Sequence, residues 1–474
     1  MQLKKKHIGT IRESITAISA SLLAATAAAP PEPAQAQGLF STSTHAARND
    51  NFGPGVSYSE LDSALLVYQE SGGRVSAIEP ALDLSVFGAG GQELDLDLVV
   101  DSVSGATPNG AVPSDRPQNF VTPLKAQGNA VTVTTASGGS TVIHLPPTPG
   151  QIAAAARQYT VPANTLPVDK AFFDRREGFN FDWSQPVGFL SQAGFGGGYS
   201  IERDYQAITG NARIAQNLNA NNTTLSFAIN TELDSSFPYG GVPTPLTTMD
   251  GHWKPVSSRD KTQLGFVAGI TEVMSRRWLM QLNYSYDSQS GYQNDPYRII
   301  SVVDSISGEP TAYLYEKRPG NRQGQSLFWD NKFDFGPTVT DLSLRYFKDS
   351  WGISSKTAEL SERVALTSWL YVEPSARWYQ QSAANFYHPF LVGGQALSPC
   401  ASSDWRLSDF GALTYGLKVG VQLTGRTEFD LNGGYYQQTA NGHPADAIGQ
   451  LKSQNLFAGT NATFAFLSYV WDFH

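Results

Sequence analysis

Cysteine is almost absent from this sequence, which has only Cys400 among its 474 residues. A single thiol cannot form an intrachain disulfide, so no disulfide framework supports the fold. We interpret Cys400 as an incidental loop thiol, with a crosslink or an attached lipid as the alternative. Basic residues are also scarce, because 33 Lys and Arg stand against 42 Asp and Glu. This balance argues against a nucleic-acid partner, which would require a basic patch.

Long hydrophobic runs are missing beyond the first thirty residues. A membrane-spanning helix needs roughly 20 consecutive apolar residues. If the chain enters a membrane, strands must therefore carry it across. The composition suits strands and turns, since charged residues make up only 16% of the chain while 44 Gly, 25 Phe, 20 Tyr and 9 Trp are present.

The first 36 residues have the order of a secretory signal peptide. Three lysines at residues 4–6 precede an apolar stretch at 15–29, and the small-residue pattern AQA follows at 34–36. Cleavage is therefore expected after Ala36. The alternative, an N-terminal anchor helix, needs a longer apolar run. Removal of residues 1–36 takes away four Lys and Arg and two Asp and Glu, which leaves 29 basic and 40 acidic side chains and a net charge of −11.

Apolar and polar residues alternate from Tyr58 onward, which indicates strands with one apolar face. Leu94 and Leu96, for example, alternate with Asp95 and Asp97. Sixteen strands are predicted, at residues 57–70, 74–87, 92–103, 168–185, 188–203, 210–218, 222–234, 262–274, 277–288, 325–335, 338–349, 353–365, 368–380, 407–423, 426–438 and 460–473.

The connections between these segments alternate in length. Tight turns are expected at residues 88–91, 185–187, 219–221, 275–276, 336–337, 367 and 424–425. Long loops are expected at residues 104–167, 235–261, 289–324, 381–406 and 439–459. Outer-membrane barrels combine short periplasmic turns, long extracellular loops and an even number of antiparallel strands. The sequence therefore predicts an all-β fold, a transmembrane antiparallel β-barrel of about 16 strands over residues 57–474.

Two segments outside the predicted strands bear on how open the barrel is. Residues 37–56 form a short periplasmic segment, too short for a folded plug domain. The loop at 104–167 is unusually long and contains its own predicted hairpin, because residues 130–134 and 141–143 flank the turn sequence SGGS at 137–140. This loop can either cover the mouth or fold inward and narrow the pore.

Aromatic residues mark the predicted strand ends. Interfacial girdles are expected to include Trp278, Tyr346, Trp351, Trp378 and Trp471. Core aromatics of a soluble sheet are the alternative. In the last strand, Leu467, Tyr469, Trp471 and Phe473 alternate as an apolar face before the terminal His474. Such aromatic final strands are typical of barrels inserted by the barrel assembly machinery, so that machinery and outer-membrane lipid are expected partners.

The loop after the third predicted strand has a distinctive sequence, DSVSGATPNG at residues 101–110 and PSDRPQ at 113–118. It resembles the bacterial outer-membrane barrels known as domain of unknown function 3570. Four further stretches fit the same family, namely SALLVYQESGGRVSAIEP at 63–80, GYQNDPYRIISVVD at 291–304, residues 315–332 with their RPGNR, and ARWYQQSAANFYHPF at 376–390.

This resemblance covers nearly the whole mature chain and is specific for the family. It implies a barrel in the outer membrane of a Gram-negative bacterium. It also implies periplasmic company, because family members are often encoded near thioredoxin-like proteins, small lipoproteins and a flavin-attaching enzyme. A periplasmic lipoprotein or redox protein is therefore a possible partner. The family supplies no catalytic residues to carry over.

The polar side chains opposite the aliphatic ones are the candidates for the lumen lining. In the first three strands these are Glu60, Asp62, Glu79, Asp83, Glu93, Asp95 and Asp97. In the tenth to fourteenth strands they are Asp330, Lys332, Asp334, Arg345, Glu359, Arg363, Glu373, Arg377 and Lys418. Because nearly all the inward bases lie on the late strands, a transverse electric field across a channel is predicted. The alternative is a packed interior in which these charges pair.

The predicted outer loops contain a second group of charged candidates, Asp115, Arg116, Asp295, Arg298, Arg318 and Arg322. They lie among Gly, Pro and Asn and are predicted either to converge on a ligand or partner, or to be solvated separately.

No catalytic or metal-binding motif accompanies these charges. The chain lacks a GxSxG elbow, an HExxH helix and a CxxC pair, and its histidines are scattered. We therefore expect no enzyme activity, no cofactor and no metal. The expected function is a channel for small polar solutes or ions. The alternative is a non-conducting outer-membrane scaffold that binds a periplasmic or surface partner.

Overall fold

The computed structural model describes residues 57–123, 130–134, 140–144, 156–188, 190–249 and 256–473. The predicted signal peptide and the segment at 37–56 lie outside these residues and stay predictions. Within the described part of the chain, no helix has the length and apolar character needed to cross a membrane.

The described residues form 23 strands. In chain order they are β1 (Tyr58–Glu70), β2 (Ser76–Phe87), β3 (Glu93–Pro108), β4 (Gln118–Pro123), β5 (Ala130–Thr134), β6 (Ser140–His144), β7 (Ala156–Val161), β8 (Val168–Val187), β9 (Ser191–Ile201), β10 (Tyr205–Leu218), β11 (Thr223–Ser236), β12 (Arg259–Ser275), β13 (Trp278–Gly291), β14 (Ile299–Val303), β15 (Pro310–Tyr315), β16 (Asn321–Asp334), β17 (Thr338–Asp349), β18 (Ser354–Ala365), β19 (Leu370–Gln381), β20 (Leu391–Val392), β21 (Phe410–Thr424), β22 (Thr427–Thr439) and β23 (Asn461–Phe473).

Sixteen of these strands close into one antiparallel barrel. Its order follows the chain as β1-β2-β3-β8-β9-β10-β11-β12-β13-β16-β17-β18-β19-β21-β22-β23, and β1 pairs with β23 to close it. The sixteen predicted strands are thus confirmed, with bounds that shift by a few residues. The largest shifts are at β3, which runs on to Pro108, and at β10, which begins at Tyr205 rather than at residue 210. Closure leaves no unpaired edge.

Alternation along each barrel strand separates an apolar outer face from a polar inner face. On β23 the outward Leu467, Tyr469 and Trp471 are exposed, whereas Val470 and Asp472 between them are buried. Other strands show the same outer face, for example Leu82 on β2 and Leu417 on β21. This surface is suited to lipid, because each barrel strand pairs with a neighbour on both sides around the closed barrel.

Short turns lie at one end of the barrel, as predicted. The turn expected at residues 185–187 is wrong, because β8 continues through Pro186 to Val187. Gly188 follows in the left-handed conformation with a φ of 72°, and β9 begins at Ser191. The opposite end carries the long loops, but three of its connections are short as well, at residues 71–75, 202–204 and 350–353.

The long loops pack on one another over the mouth of the barrel. In the predicted long loop, the hairpin is confirmed as β5 paired with β6, and β4 pairs with β7. The described part of this loop covers the mouth, since Val112 packs with Val303, Phe390 and Leu451 from three other loops. We refer to these packed loops as the loop cap.

One expected girdle residue belongs to the loop cap instead. Trp351 is buried against Ile353, Phe386 and Leu407, because it follows β17 in a short connection that turns inward. Tyr346, Trp378 and Trp471 are exposed on the outer face as expected.

An apolar cluster fills part of the barrel interior below the cap. It joins inward residues of β1, β2, β3, β19, β21, β22 and β23, such as Leu66, Tyr68 and Tyr436, to Trp405 and Ala458 from the loops. The interior on this side is therefore packed near the mouth.

Candidate functional site

All the predicted lumen residues lie on the inner face of the barrel. Each stands at the opposite parity to an exposed apolar residue of its own strand, as Asp83 does to Leu82 and Lys418 does to Leu417. The positions placed inward are Glu60, Asp62, Glu79, Asp83, Glu93, Asp95, Asp97, Asp330, Lys332, Asp334, Arg345, Glu359, Arg363, Glu373, Arg377 and Lys418. Whether they line a conducting path stays a prediction.

Carboxylates stand next to one another on the inner face of the early strands. Asp62, Asp83 and Asp97 stand side by side on β1, β2 and β3, and Asp95 lies one step nearer the short turns. The Ser85 hydroxyl donates hydrogen bonds to the carboxylates of Asp83 (3.2 Å) and Asp95 (2.6 Å).

Among the described residues, no Lys or Arg forms an ion pair with Asp83, Asp95 or Asp97. We call these three the acidic wall. The nearby Arg213 pairs with Asp182 instead.

The late strands differ, because their inward bases come with acids. Lys418 Nζ lies 2.9 Å from Glu373 Oε1, and Arg377 Nε lies 3.9 Å from Glu359 Oε2. Lys332 pairs with Asp341 at 3.0 Å. Arg345 donates to the Ser326 hydroxyl, and the Arg363 guanidinium lies 3.6 Å from the centre of the Tyr371 ring. Strand register thus sets Lys332, Arg377 and Lys418 beside acids. The transverse field across the barrel stays a prediction.

The lumen is accessible to solvent beside these pairs. The Glu359 side chain is 48% exposed and the Lys332 side chain is 40% exposed, although both point inward. Asn180 of β8 also points inward and is exposed.

Glu79 differs in its burial, because it is only 1% exposed, and neither of its carboxylate oxygens has a hydrogen-bond partner among the described residues. An ion in solution cannot reach Glu79 in this arrangement.

A cavity of about 380 Å³ lies at the mouth, between the outer ends of the early strands and the loop cap. Its walls are rich in both signs of charge and in aromatic rings. The lining includes Glu70, Arg74, Asp101, Arg157, Asp169, Asp174, Arg176, Glu202, Arg203, Asp204, Tyr239, Asp295, Tyr297, Arg298, Trp405 and Arg406.

One end of the cavity carries three neighbouring carboxylates. Oxygen atoms of Asp174, Glu202 and Asp204 lie within 4.8 Å of one another, an arrangement able to share a cation. The Tyr297 hydroxyl donates a hydrogen bond to Asp204. Burial, and after it the Asp174 carboxylate, raises the pKa of Glu202 to about 8.

Behind the cavity wall formed by Arg298 and Arg406 lies Asp404, a fully buried carboxylate of the loop after β20. Arg318 and Arg406 each place a guanidinium nitrogen 2.8 Å from Asp404 Oδ2, and Arg298 Nε lies at 3.9 Å. Burial alone would raise the pKa of Asp404, but these three guanidinium groups hold that pKa well below its usual value. Arg318 also pairs with the buried Glu316 at 2.7 Å.

The predicted outer-loop candidates converge only in part. Asp295, Arg298 and Arg318 meet around Asp404, as one alternative anticipated. Arg322 lies apart, since it pairs with Asp349 beneath the Trp351 ring. Asp115 and Arg116 pair with each other at 3.7 Å, and both are exposed.

Sequence reasoning missed several residues of the cavity and of the buried ion pairs behind it. Asp174, Glu202, Asp204, Asp404 and Arg406 were not among the candidates. The charge-rich stretch ERD at 202–204 was a usable signal, because it connects two strands at the loop end. It lies far in sequence from the Asp404 region and nothing local reveals their proximity.

The family model described as "Protein of unknown function (DUF3570)" matches residues 19–471 of the chain. No curated protein matches the chain. Among solved structures, CdiB from Acinetobacter baumannii is similar at 7% identity, over 87% of this chain and 60% of that chain, with a TM-score of 0.43.

Two structures from Pseudomonas aeruginosa are also similar. OccK2 (OpdF) in complex with glucuronate has 8% identity, with 88% of this chain and 98% of that chain covered and a TM-score of 0.36. A mutant of the ferric enterobactin receptor PfeA has 9% identity, with 86% and 59% covered and a TM-score of 0.40. This chain thus spans about three fifths of the length of CdiB and of PfeA.

Proposed function

The chain belongs to the DUF3570 family, and we propose that it is an outer-membrane channel for small polar solutes that favours cations. The observation that supports this is the acidic wall, whose carboxylates lie on the inner face without basic partners among the described residues. Asp95 and Asp97 are partly exposed there, whereas Asp83 is buried. The apolar outer face of the barrel, together with the predicted signal peptide, supports a place in the outer membrane of a Gram-negative bacterium.

The selectivity follows from which charges are neutralised. Two unit charges 4 Å apart interact by about 4 kcal/mol at an effective dielectric constant of 20. A cation beside an unpaired carboxylate gains part of this energy, whereas beside the Lys418–Glu373 pair attraction and repulsion nearly cancel. Rings of carboxylates select cations in other channels for the same reason.

Solutes enter through a restricted mouth. The loop cap covers the outer end of the barrel, and the cavity of about 380 Å³ opens between the cap and the early strands. We therefore expect small conductance steps rather than those of a wide porin.

The same loop cap favours a second candidate, a non-conducting scaffold for a periplasmic lipoprotein, a redox protein or a surface partner. Apolar clusters buried between its loops hold them in an ordered arrangement, and ordered loops suit recognition. This candidate predicts no ion current, together with co-purification of a partner.

Planar-bilayer recordings on the purified, refolded protein test the proposal. In a KCl gradient we expect a reversal potential that shows K⁺ preferred over Cl⁻. In the triple variant Asp83→Asn, Asp95→Asn, Asp97→Asn, the preference should fall by about tenfold or more, because the unpaired charges are removed.

A matched control changes one carboxylate outside the lumen. Glu177→Gln removes a charge from the outward face of β8, where Glu177 pairs with Arg175 at 3.0 Å and is 58% exposed. Its reversal potential should equal that of the unaltered protein. Absence of current from correctly folded protein, or a triple variant with unchanged selectivity, would contradict the channel proposal.

A further inference from the structure

The loop between β19 and β21 contains a polar segment that lies inside the protein. Residues 402–408 have the sequence SSDWRLS, and all except Arg406 are buried. Loops normally run over the surface, because their polar groups need water or other partners. Burial of this polar segment therefore requires partners inside the protein.

Every part of this segment has partners from other elements. The Ser403 hydroxyl donates to the carbonyls of Gly110 and Ile299, each at 2.7 Å, which ties the segment to two other loops. The Gln381 amide nitrogen of β19 donates to the carbonyl oxygens of Arg406 (3.1 Å) and Ser408 (2.6 Å). The segment thus joins the loop cap to the barrel wall.

Ion pairs hold the centre of the segment in addition to these hydrogen bonds. Asp404 lies between the guanidinium groups of Arg298 and Arg318, which belong to the loop between β13 and β16. Asp404 also caps the short turn that follows it, because its side chain accepts from the Arg406 backbone N–H.

The next residue, Trp405, points into the barrel. It is 4% exposed and belongs to the apolar cluster of the inner wall with Leu66 and Tyr68 of β1. The Phe457 ring meets it edge-on at 6.3 Å, and the Arg74 guanidinium lies 5.8 Å from its ring centre. Trp405 also lines the mouth cavity, so it stands where that cavity meets the packed interior.

We propose that the 402–408 segment is the constriction of the barrel, and that the Trp405 side chain sets the upper size of solute able to pass. The proposal rests on the proposed channel function and deepens it. It also assigns the narrowing to the loop after β19, whereas the sequence drew attention to the longer loop at 104–167. The anchors at Asp404 and Gln381 hold the tryptophan against the inner wall.

The test compares two tryptophan-to-alanine variants in bilayers. Trp405→Ala should raise single-channel conductance by about twofold or more, because the ring that occupies the route is removed. Liposome swelling should show uptake of larger sugars in this variant than in the unaltered protein. Trp405→Phe should fall between the two.

The control is Trp378→Ala, which removes a ring of the same kind from the outer face of β19, where Trp378 is 42% exposed. Its conductance should not change. Circular dichroism and the shift of electrophoretic mobility on heating verify that each variant is folded. If Trp405→Ala is not folded, Trp405→Phe provides the second measurement, because it replaces the indole by a smaller ring at the same position.

The outcomes separate this inference from the channel proposal. Conductance that is equal in folded Trp405→Ala and the unaltered protein overturns the constriction and leaves the channel intact. A silent unaltered protein together with a conducting Trp405→Ala supports the constriction but contradicts a channel that is open at rest. If both are silent, the constriction and the channel fall together.

Discussion

The two walls of the barrel interior use charge in different ways. On β2 and β3 the inward carboxylates Asp83, Asp95 and Asp97 have no basic partner within the part of the chain that the structure describes, although crowding of carboxylates costs stability. On the strands from β16 to β21, pairs such as Lys418 with Glu373 neutralise themselves. Charge pairs support structure, whereas a group of unpaired carboxylates is retained at a cost in stability. The difference is the reason we assign ion selectivity to the early strands.

The ion pairs of the loop cap are fully buried, so the largest effect on stability is expected there. Asp404→Ala leaves Arg298, Arg318 and Arg406 without their shared anion. Removing one partner of a buried ion pair typically costs about 3–5 kcal/mol. We expect a loss of this order in the free energy of unfolding of the loop cap, measured as faster proteolysis of the loops.

The pH dependence of the loop cap checks the same pairing. The pKa of Asp404 is held below its usual value in the folded state. The stability that Asp404 contributes is therefore fully present above the unfolded-state pKa of about 4, and it is lost only as pH falls through the lower folded-state pKa. Proteolysis of the unaltered cap should therefore stay slow down to mildly acidic pH. Equal cleavage rates for the unaltered protein and Asp404→Ala would contradict the assigned role.

A smaller effect on stability should distinguish the acidic wall from the paired charges of the strands β16 to β21. Lys418→Met leaves Glu373 without its partner, and we expect a loss of about 1 kcal/mol, since the pair is partly accessible to water. Asp97→Asn should cost nothing and can raise the melting temperature in detergent, because it relieves repulsion with Asp83. Thermal unfolding of the two variants side by side measures the difference. Equal destabilisation would remove the distinction between the walls.

A pH-dependent effect is expected from the titration of Glu202 in the mouth cavity. Burial raises its pKa to about 8, and the groups facing it are Asp174 and Arg176 of β8, Asp101 of β3 and Asp204 of its own loop. The folded state binds the extra proton, so stability should fall as pH rises from about 4 to about 8.

Comparison with Glu202→Gln isolates this contribution from the other titrating groups. The difference in melting temperature between the variant and the unaltered protein should grow over that pH range, with the variant more stable at pH 8. A difference that does not change with pH would show that Glu202 titrates normally.

Much of the barrel was predictable, because alternation at period two also shows which side chains of a strand share a face. Each predicted inward residue, from Glu60 to Lys418, follows from the position of the aliphatic residues on the same strand. The predicted turn at 185–187 was wrong because Pro186 suggested a break, whereas the end of a strand tolerates proline. Trp351 was assigned to a girdle because its position near a strand end does not reveal that the chain turns inward there.

The sequence by itself determined that sixteen alternating segments cross the barrel and which side chains of each face the lumen, since both depend on local spacing. Only the tertiary structure decided which charges are neighbours. Register between strands sets Lys418 beside Glu373 and leaves Asp97 beside Asp83. Loop packing brings Asp404 to Arg298 and places Trp405 against the inner wall. Such contacts join residues far apart in the chain, and no local pattern encodes them.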